Sequence, residues 1–323
     1  MTNTVLGKIN PSDMGRTLTH EHLQFGFPGW IADITLGKTD YEKTVPYLTS
    51  EIEKAKAHGI KTIVDATPNE CARDVQLMKM VSESAGVNII AATGYYFEDF
   101  SSPQYWKRHE SFGIDIQKEL EEMFLNEICE GIAGTGIKAG VIKVSSGLGC
   151  ITDFESKLMK AAAAASKETG TPIATHTTGG TMGVEQAKLL INSGADPEKI
   201  QIGHMCRCRD IAVHEELLSL GVFDAFDQIG EENNGGTPAD TERAELFMRL
   251  LDKGYEKQLL ISHDYVAIDA GRDINAVKKQ APVYKNMGLD VLFKTFAACL
   301  KEGGAGEEIM QQILADNASR LYS

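Results

Sequence analysis

Residues 139–146 read AGVIKVSS, with Lys143 set inside an otherwise apolar or small-residue run. A strand reads this way when both of its faces are covered, because neither face meets water on alternate residues. Residues 61–66 (KTIVDA) and 87–94 (VNIIAATG) read alike. Working outward from them, candidate strands fall at Thr17–His22, Lys61–Ala66, Asn88–Gly94, Gly140–Ser145, Pro172–His176, Ile200–His204, Val222–Asp227 and Gln258–His263. Amphipathic helical stretches follow them, among them Tyr41–Ala57, Ile114–Ile132, Phe154–Glu168, Met182–Ser193 and Thr241–Leu251. Asp196-Pro197 opens a turn before the sixth strand, and Gly170 sits where a helix would end. Strands that alternate with helices pair in parallel, each helix being a crossover. Eight such units predict a closed (β/α)8 TIM barrel, with an open doubly wound sheet as the alternative. No linker or low-complexity segment interrupts the pattern, so residues 1–323 read as one domain. Two longer insertions, roughly 95–113 and 264–287, each follow a strand and belong on the face where barrels build their sites.

Composition narrows the partners. The chain of 323 residues is 42% hydrophobic and 24% charged, with a formal net charge of −14. Such an acidic chain is a poor match for nucleic acid or an anionic membrane, both of which ask for clustered Lys and Arg. The start MTNTVLGKINPSDMG lacks the basic-then-apolar order of a secretory signal, and AAAAA at 161–165 is far too short to span a bilayer. Six scattered cysteines do not form a dense disulfide framework and suit reduced thiols in a cytoplasm.

Chemistry gathers at the strand ends. Side chains alternate along a strand, so His20 and His22 point the same way and Glu21 the other. Alone, that pair fits metal ligation or ordinary packing equally well. Later strands add Lys143 in VIKVSS, His176 in IATH, His204 in IGH and Asp264 in ISHD. Four histidines, a lysine and a carboxylate thus converge on one rim, a mixture that suits divalent ions of hard or borderline character. A lysine among metal ligands makes sense if its neutral amine reacts with CO2 to give an anionic carbamate. The alternative is a surface or salt-bridged lysine, which its apolar strand disfavours.

GRTLTHEHL, GVIKVSSG, TGTPIATHTTGG with GVEQ, DPEKIQIGH, LLISHD and the closing DNASRL, in this order, resemble the phosphotriesterase family of the amidohydrolase superfamily, including its lactonase and phosphotriesterase-homology branches. The resemblance covers essentially the whole chain. It implies a distorted (β/α)8 barrel with two divalent metal ions and a bridging hydroxide. Zinc is the first choice of metal, with manganese, cobalt or iron as alternatives. By motif, His20, His22 and Asp264 would hold the more buried ion, His176 and His204 the more exposed one, and carbamylated Lys143 would bridge them. Asp264 would take the proton from the attacking oxygen and pass it to the leaving group. Many relatives are dimers, so a homodimer is expected.

The sequence departs from the phosphotriesterase branch at two places. Where that branch relays a proton through a His and an Asp, this chain has Gln228 in FDQIG and Arg207 in GHMCRCRD. Neither exchanges a proton near neutral pH. A lactone needs no relay, since its alkoxide stays tethered, and this favours a lactonase or carboxylic-ester hydrolase. Arg207 and Arg209 would supply charge for an anionic or phosphorylated sugar lactone, or else pair with Glu231, Glu232 or Asp210. Arg272 is a further candidate for the same role. Of Tyr95 and Tyr96, one is expected to face the site and the other to pack away. Trp106 and Phe112 could line the mouth or pack in the core. Cys206 and Cys208 lack a second CxC partner and read as ordinary thiols. Gly179-Gly180 could touch a substrate anion or only form a turn. His58, His109 and His214 read as solvated, and His263 as facing the barrel's outer side. Competing functions are a phosphotriesterase or aryl-esterase and a non-catalytic binding protein on the same fold.

Overall fold

The structure, a computed structural model, describes residues 1–101, 103–232, 236–274, 276 and 287–323. Its strands are β1 (Thr2–Thr4), β2 (Gly7–Ile9), β3 (Arg16–Phe25), β4 (Ile60–Asp65), β5 (Asn88–Gly94) and β6 (Val141–Ser146). They continue as β7 (Ile173–Thr177), β8 (Ile200–Ile202), β9 (Phe223–Phe226), β10 (Leu259–Ile261) and β11 (Val266–Asp269). β1 and β2 form a separate antiparallel hairpin. The others make one sheet in the order β10-β9-β8-β7-β6-β5-β4-β3-β11.

β10 lies at one edge of this sheet and β11 at the other, yet only residues 262–265 separate them in sequence. They are two halves of one broken strand. Across the break, Asp264 N donates to His20 O at 3.0 Å and His22 N to Tyr265 O at 3.0 Å. The eight-strand path therefore closes on itself, and the expected (β/α)8 barrel is what forms.

Among the described residues, the helices that alternate with the strands are α1 (Tyr41–Lys56), α2 (Val75–Ala85), α3 (Pro103–Ser111), α4 (Ile116–Cys129), α5 (Asp153–Thr169), α6 (Gly183–Asn192), α7 (Ile211–Ser219) and α8 (Asp240–Asp252). Their starts follow local chemistry. Asp40, Asp74, Asp115 and Asp210 each accept from a backbone N–H of the first turn, and Thr152 with Glu155 forms a reciprocal capping box on α5. The cap at Asp115 explains why α4 begins at Ile116 and not at Ile114. Gly170 ends α5 at φ 71°.

Two apolar layers result. The larger lies between sheet and helices, and the smaller fills the barrel with Met14, Val64, Ile90, Ala92, Val141, Ala174, Phe223, Ala225 and Leu260. Leu321 and Tyr322 join the inner layer, and Thr2 Oγ1 donates to Tyr322 O at 2.8 Å. One end of the barrel is thus plugged with side chains, leaving the other, at the C-terminal ends of the strands, for the site. The aromatic insertion at 95–113 carries α3, while residues 102, 275 and 277–286 of the two insertions lie outside the described set. No described helix is long and apolar enough to cross a membrane.

Candidate metal centre

His20, His22, Lys143, His176, His204 and Asp264 all line one cavity of about 580 Å³ at that rim. Lys143 Nζ is 2.7 Å from His20 Nε2. Asp264 Oδ1 lies 3.0 Å from His22 Nε2 and 3.6 Å from His20 Nε2, and its Oδ2 lies 3.7 Å from His204 Nε2. The His176 ring centre is 4.5 Å from that of His204.

Backbone conformation delivers two of these side chains. His204 and Asp264 sit at φ 61° and 54°, positive values that non-glycine residues seldom adopt and that cost of order 1–3 kcal/mol. Glycine clears the way at two points. A Cβ on Gly94 (φ 131°) would fall 1.8 Å from Lys143 O, and one on Gly203 would fall 2.3 Å from Thr175 O and 3.1 Å from Asp227 Oδ2.

Asp227 was not singled out in the sequence, and it anchors the cluster from beneath. Its Oδ2 lies 2.6 Å from His20 Nδ1, and its Oδ1 accepts from His204 N at 2.6 Å and lies 2.9 Å from His204 Nδ1. Both imidazoles are thereby fixed with Nδ1–H toward the carboxylate and the Nε2 lone pair toward the cavity. Thr67 Oγ1, 2.8 Å from His22 Nδ1, orients the third ring. The sequence signal for Asp227 is periodicity. Phe223 and Ala225 fill the barrel interior, so a carboxylate two residues on must also point inward.

Electrostatics lower the basicity of two of the imidazoles, His20 and His176. Burial and the nearby Lys143 charge lower the His20 pKa to about 4, and burial with His204 and Lys143 holds His176 well below its usual value. Burial lowers Lys143 to about 8 against the pull of Asp264 and Asp227. Burial would raise the Asp264 carboxyl, but His204, His20 and His22 outweigh it and hold it well below the usual carboxylate range.

His20, His22 and Asp264 bring one ligand atom each within 4.8 Å of one another, as do His20, His204 and Asp227. The second set is a hydrogen-bonded anchor, since separations of 2.6 and 2.9 Å leave no room for an ion between its members. The first set, with His176, His204 and Lys143 beside it, presents imidazole nitrogens, a lysine amine and a carboxylate in one buried space. That donor chemistry fits divalent cations.

The remaining expectations sort by side-chain direction. Tyr96 lines the cavity, with its ring centre 4.9 Å from that of His176. Tyr95 turns away and packs on Trp106 at 5.7 Å, so its expected substrate contact is not formed. Trp106 is buried in the helical layer and Phe112 is exposed, and neither is among the cavity residues. Arg272 does line the cavity, with Nε 2.9 Å from Asp269 Oδ2.

Arg207 and Arg209 do not reach the cavity wall. Arg209 pairs with Glu242 at 3.4 Å. Arg207 pairs with Glu231 at 3.0 Å and donates through Nε to Gln228 Oε1. Gln228 Nε2 in turn donates to Asp264 Oδ2 at 2.8 Å. With its oxygen claimed by the guanidinium, the amide presents only N–H to Asp264.

His214 is a correction. It is fully buried, because α7 turns His214, Leu217 and Leu218 onto the sheet. Its Nδ1 lies 2.5 Å from Asp224 Oδ2, and Nε2 bonds Cys208 O at 3.0 Å. Burial opposes its charge, but Asp224 and the Cys208 carbonyl prevail and raise its pKa to about 10. This buried ion pair ties down the turn that carries Arg207. His58 and His109 are half-exposed, stacked on Phe293 and paired with Glu119 respectively. Cys206 is buried and Cys208 half-buried, both as free thiols. Gly179 and Gly180 form a turn, where a Cβ on Gly180 would meet Cys208 N at 2.6 Å.

A (β/α)8 barrel that gathers imidazoles, a lysine and a carboxylate at its C-terminal rim is the architecture of a metal-dependent hydrolase. Residues 1–322 match the phosphotriesterase family, and the chain belongs to it. An aryldialkylphosphatase of Saccharolobus solfataricus is 33% identical over 318 residues, spanning 98% of this chain and 97% of that protein. A phospho-furanose lactonase of Mycoplasmopsis synoviae is 31% identical over 335 residues, spanning 99% and 91%. The crystal structure of a mutant phosphotriesterase-like lactonase from Deinococcus radiodurans is similar at TM-score 0.95 and 40% identity, with 100% of both chains covered.

Substituting Asp227 tests the anchor. Asp227→Asn keeps the shape but offers one acceptor to two imidazole N–H groups. Metal retention should weaken by about 10–100-fold, read as bound metal after dialysis against a chelator. Retention equal to wild type would show that the imidazoles hold their orientation without the carboxylate.

Proposed function

We propose that the protein is a lactonase or carboxylic-ester hydrolase, with His20, His22, His176, His204, Asp264 and carbamylated Lys143 holding two divalent cations, zinc in the first instance. When bound, such cations supply Lewis-acid polarisation of the carbonyl and a water acidic enough to attack near neutral pH. The observation that carries the lactone reading is the Arg207–Gln228–Asp264 chain. Water oxygen attacks the carbonyl carbon, the ring C–O bond breaks, and the water proton passes to Asp264. Gln228 cannot take that proton onward, so Asp264 must return it to the leaving oxygen. A lactone keeps its alkoxide attached to the acyl chain and within reach, and the product is a hydroxy acid. A free leaving group diffuses away, and without a relay Asp264 recovers slowly.

The walls suggest the substrate's other half. Phe25, Phe27, Trp30, Leu36 and Val266 give the cavity an apolar side, where an apolar substituent would be held and water excluded. An anionic sugar lactone is the second reading, favoured by the likeness to a phospho-furanose lactonase and by Arg272 at the cavity. That reading requires Arg272 to leave or share Asp269. Free thiols at all six cysteines support a reducing, cytoplasmic setting.

A panel of lactones tests both readings. With metal-loaded protein, a lactone bearing an apolar chain should exceed a phosphorylated sugar lactone by about tenfold or more in kcat/KM, roughly 1.4 kcal/mol. The reverse order would transfer the assignment to the anionic class. Failure on every lactone, with turnover of paraoxon, would replace the lactonase reading by the phosphotriesterase one.

A further inference from the structure

Glu21 stands between His20 and His22 and points the opposite way, to the outer side of the barrel, where it is fully buried. Its carboxylate takes four hydrogen bonds, all from one short stretch. Oε1 accepts from Ser262 Oγ at 2.7 Å and His263 N at 3.0 Å, and lies 2.7 Å from His263 Nδ1. Oε2 accepts from Tyr265 N at 3.0 Å. His263 Nε2 accepts from Leu292 N at 3.2 Å, which leaves the ring hydrogen on Nδ1, facing Glu21.

This stretch is the break between β10 and β11, and Asp264 sits in its middle at φ 54°. Its neighbour β3 is itself irregular on the side of β4, where Leu18 and Glu21 pair with Ile63 and Asp65, three steps against two. A regular ladder cannot supply acceptors for His263 N and Tyr265 N at such a place, and the Glu21 carboxylate supplies them instead. A strained backbone persists only where its surroundings over-determine it. Here the surroundings are Glu21 on one side and the bonds from His20 N to Ser262 Oγ (3.1 Å) and from Asp264 N to His20 O (3.0 Å) on the other.

We propose that Glu21 is a positioning residue, clamping residues 262–265 from the outer face of the barrel so that Asp264 is delivered to the inner face beside His20 and His22. The metal part of this inference rests on the function proposed above. The one short motif HEH would then place two imidazoles directly and a distant carboxylate through its backbone.

Glu21→Gln preserves volume, but whichever way its amide turns, an N–H meets the donor of Tyr265 or those of Ser262 and His263. Wild type and variant, each shown folded by circular dichroism, are equilibrated with graded free zinc and their bound zinc measured. Amide exchange of residues 263–265 is followed in the metal-free proteins. The expected result is a zinc midpoint raised at least about tenfold, with exchange faster by at least as much. An unchanged midpoint and unchanged exchange, whatever the melting temperature does, would overturn the proposal. If wild type itself binds neither zinc nor manganese, cobalt or iron, the proposed function fails, and exchange alone decides the clamp. If Glu21→Gln does not fold, Ser262→Ala removes one of the four bonds to Glu21 together with the bond from His20 N, so amide exchange of residues 263–265 should quicken as well as the midpoint rise by about threefold. No change there would likewise overturn the proposal.

Discussion

Lys143→Ala should fold but fail to keep metal, with lactone kcat/KM lowered by about a thousandfold or more, roughly 4 kcal/mol of transition-state stabilisation. Lys143 is almost wholly buried and sits on the inner face of β6, with Nζ 2.7 Å from His20 Nε2. As an ammonium it would repel cations from the space the imidazoles surround. As a free amine it can attack the carbon of dissolved CO2, forming an N–C bond and releasing one proton to water. The carbamate so made carries a negative charge and two oxygens, and can serve both cations. Alanine removes that group and leaves a space suited to a small acid. Acetate or propionate, added with metal, should therefore restore part of both metal content and turnover. Full activity in the unrescued variant would end the role assigned to Lys143, as would an unmodified amine by mass in metal-replete enzyme.

Paraoxon should be turned over about a thousandfold or more less efficiently than the best lactone. The reason lies in the bonds around Asp264 and not in the space available. Gln228 gives Asp264 a permanent N–H donor, and Arg207 keeps the amide from turning to present its oxygen. Each time a free leaving group departs, Asp264 retains a proton that its hydrogen-bonded neighbour Gln228 cannot take up. The check is kcat/KM for both substrates on one metal-loaded preparation. A paraoxon value within tenfold of the lactone value would show that protons leave Asp264 by another route.

The barrel was legible because its strands are short runs covered on both faces, and AGVIKVSS cannot be read as one side of an exposed sheet. The rim was legible because period-two alternation and strand ends place His20, His22, Lys143, His176, His204 and Asp264 without knowledge of tertiary contacts. Residues whose meaning depends on a partner in another element were not. Arg207 and Arg209 read either as a cationic device for substrate or as partners of Glu231, Glu232 or Asp210, and the choice stayed open because the partners that decide it, Gln228, Glu231 and Glu242, lie more than twenty residues away in sequence. His214 read as solvated because the carboxylate that buries and charges it, Asp224, belongs to β9. Asp227 carried a usable signal, the inward parity of Phe223 and Ala225, but a carboxylate at a strand end also suits a simple cap. For Tyr95 and Tyr96, alternation shows that only one faces the site. Which one depends on how β5 leaves Gly94, at φ 131°.

The most direct measurement follows bound metal and lactone turnover together through one cycle of chelation and reloading. Two divalent ions per chain are expected at full activity. Turnover should fall to background as they are stripped, and return in step with their number on reloading in the presence of bicarbonate. A protein stripped of metal that still opens the lactone at its full rate would contradict the metal-dependent hydrolase at its root.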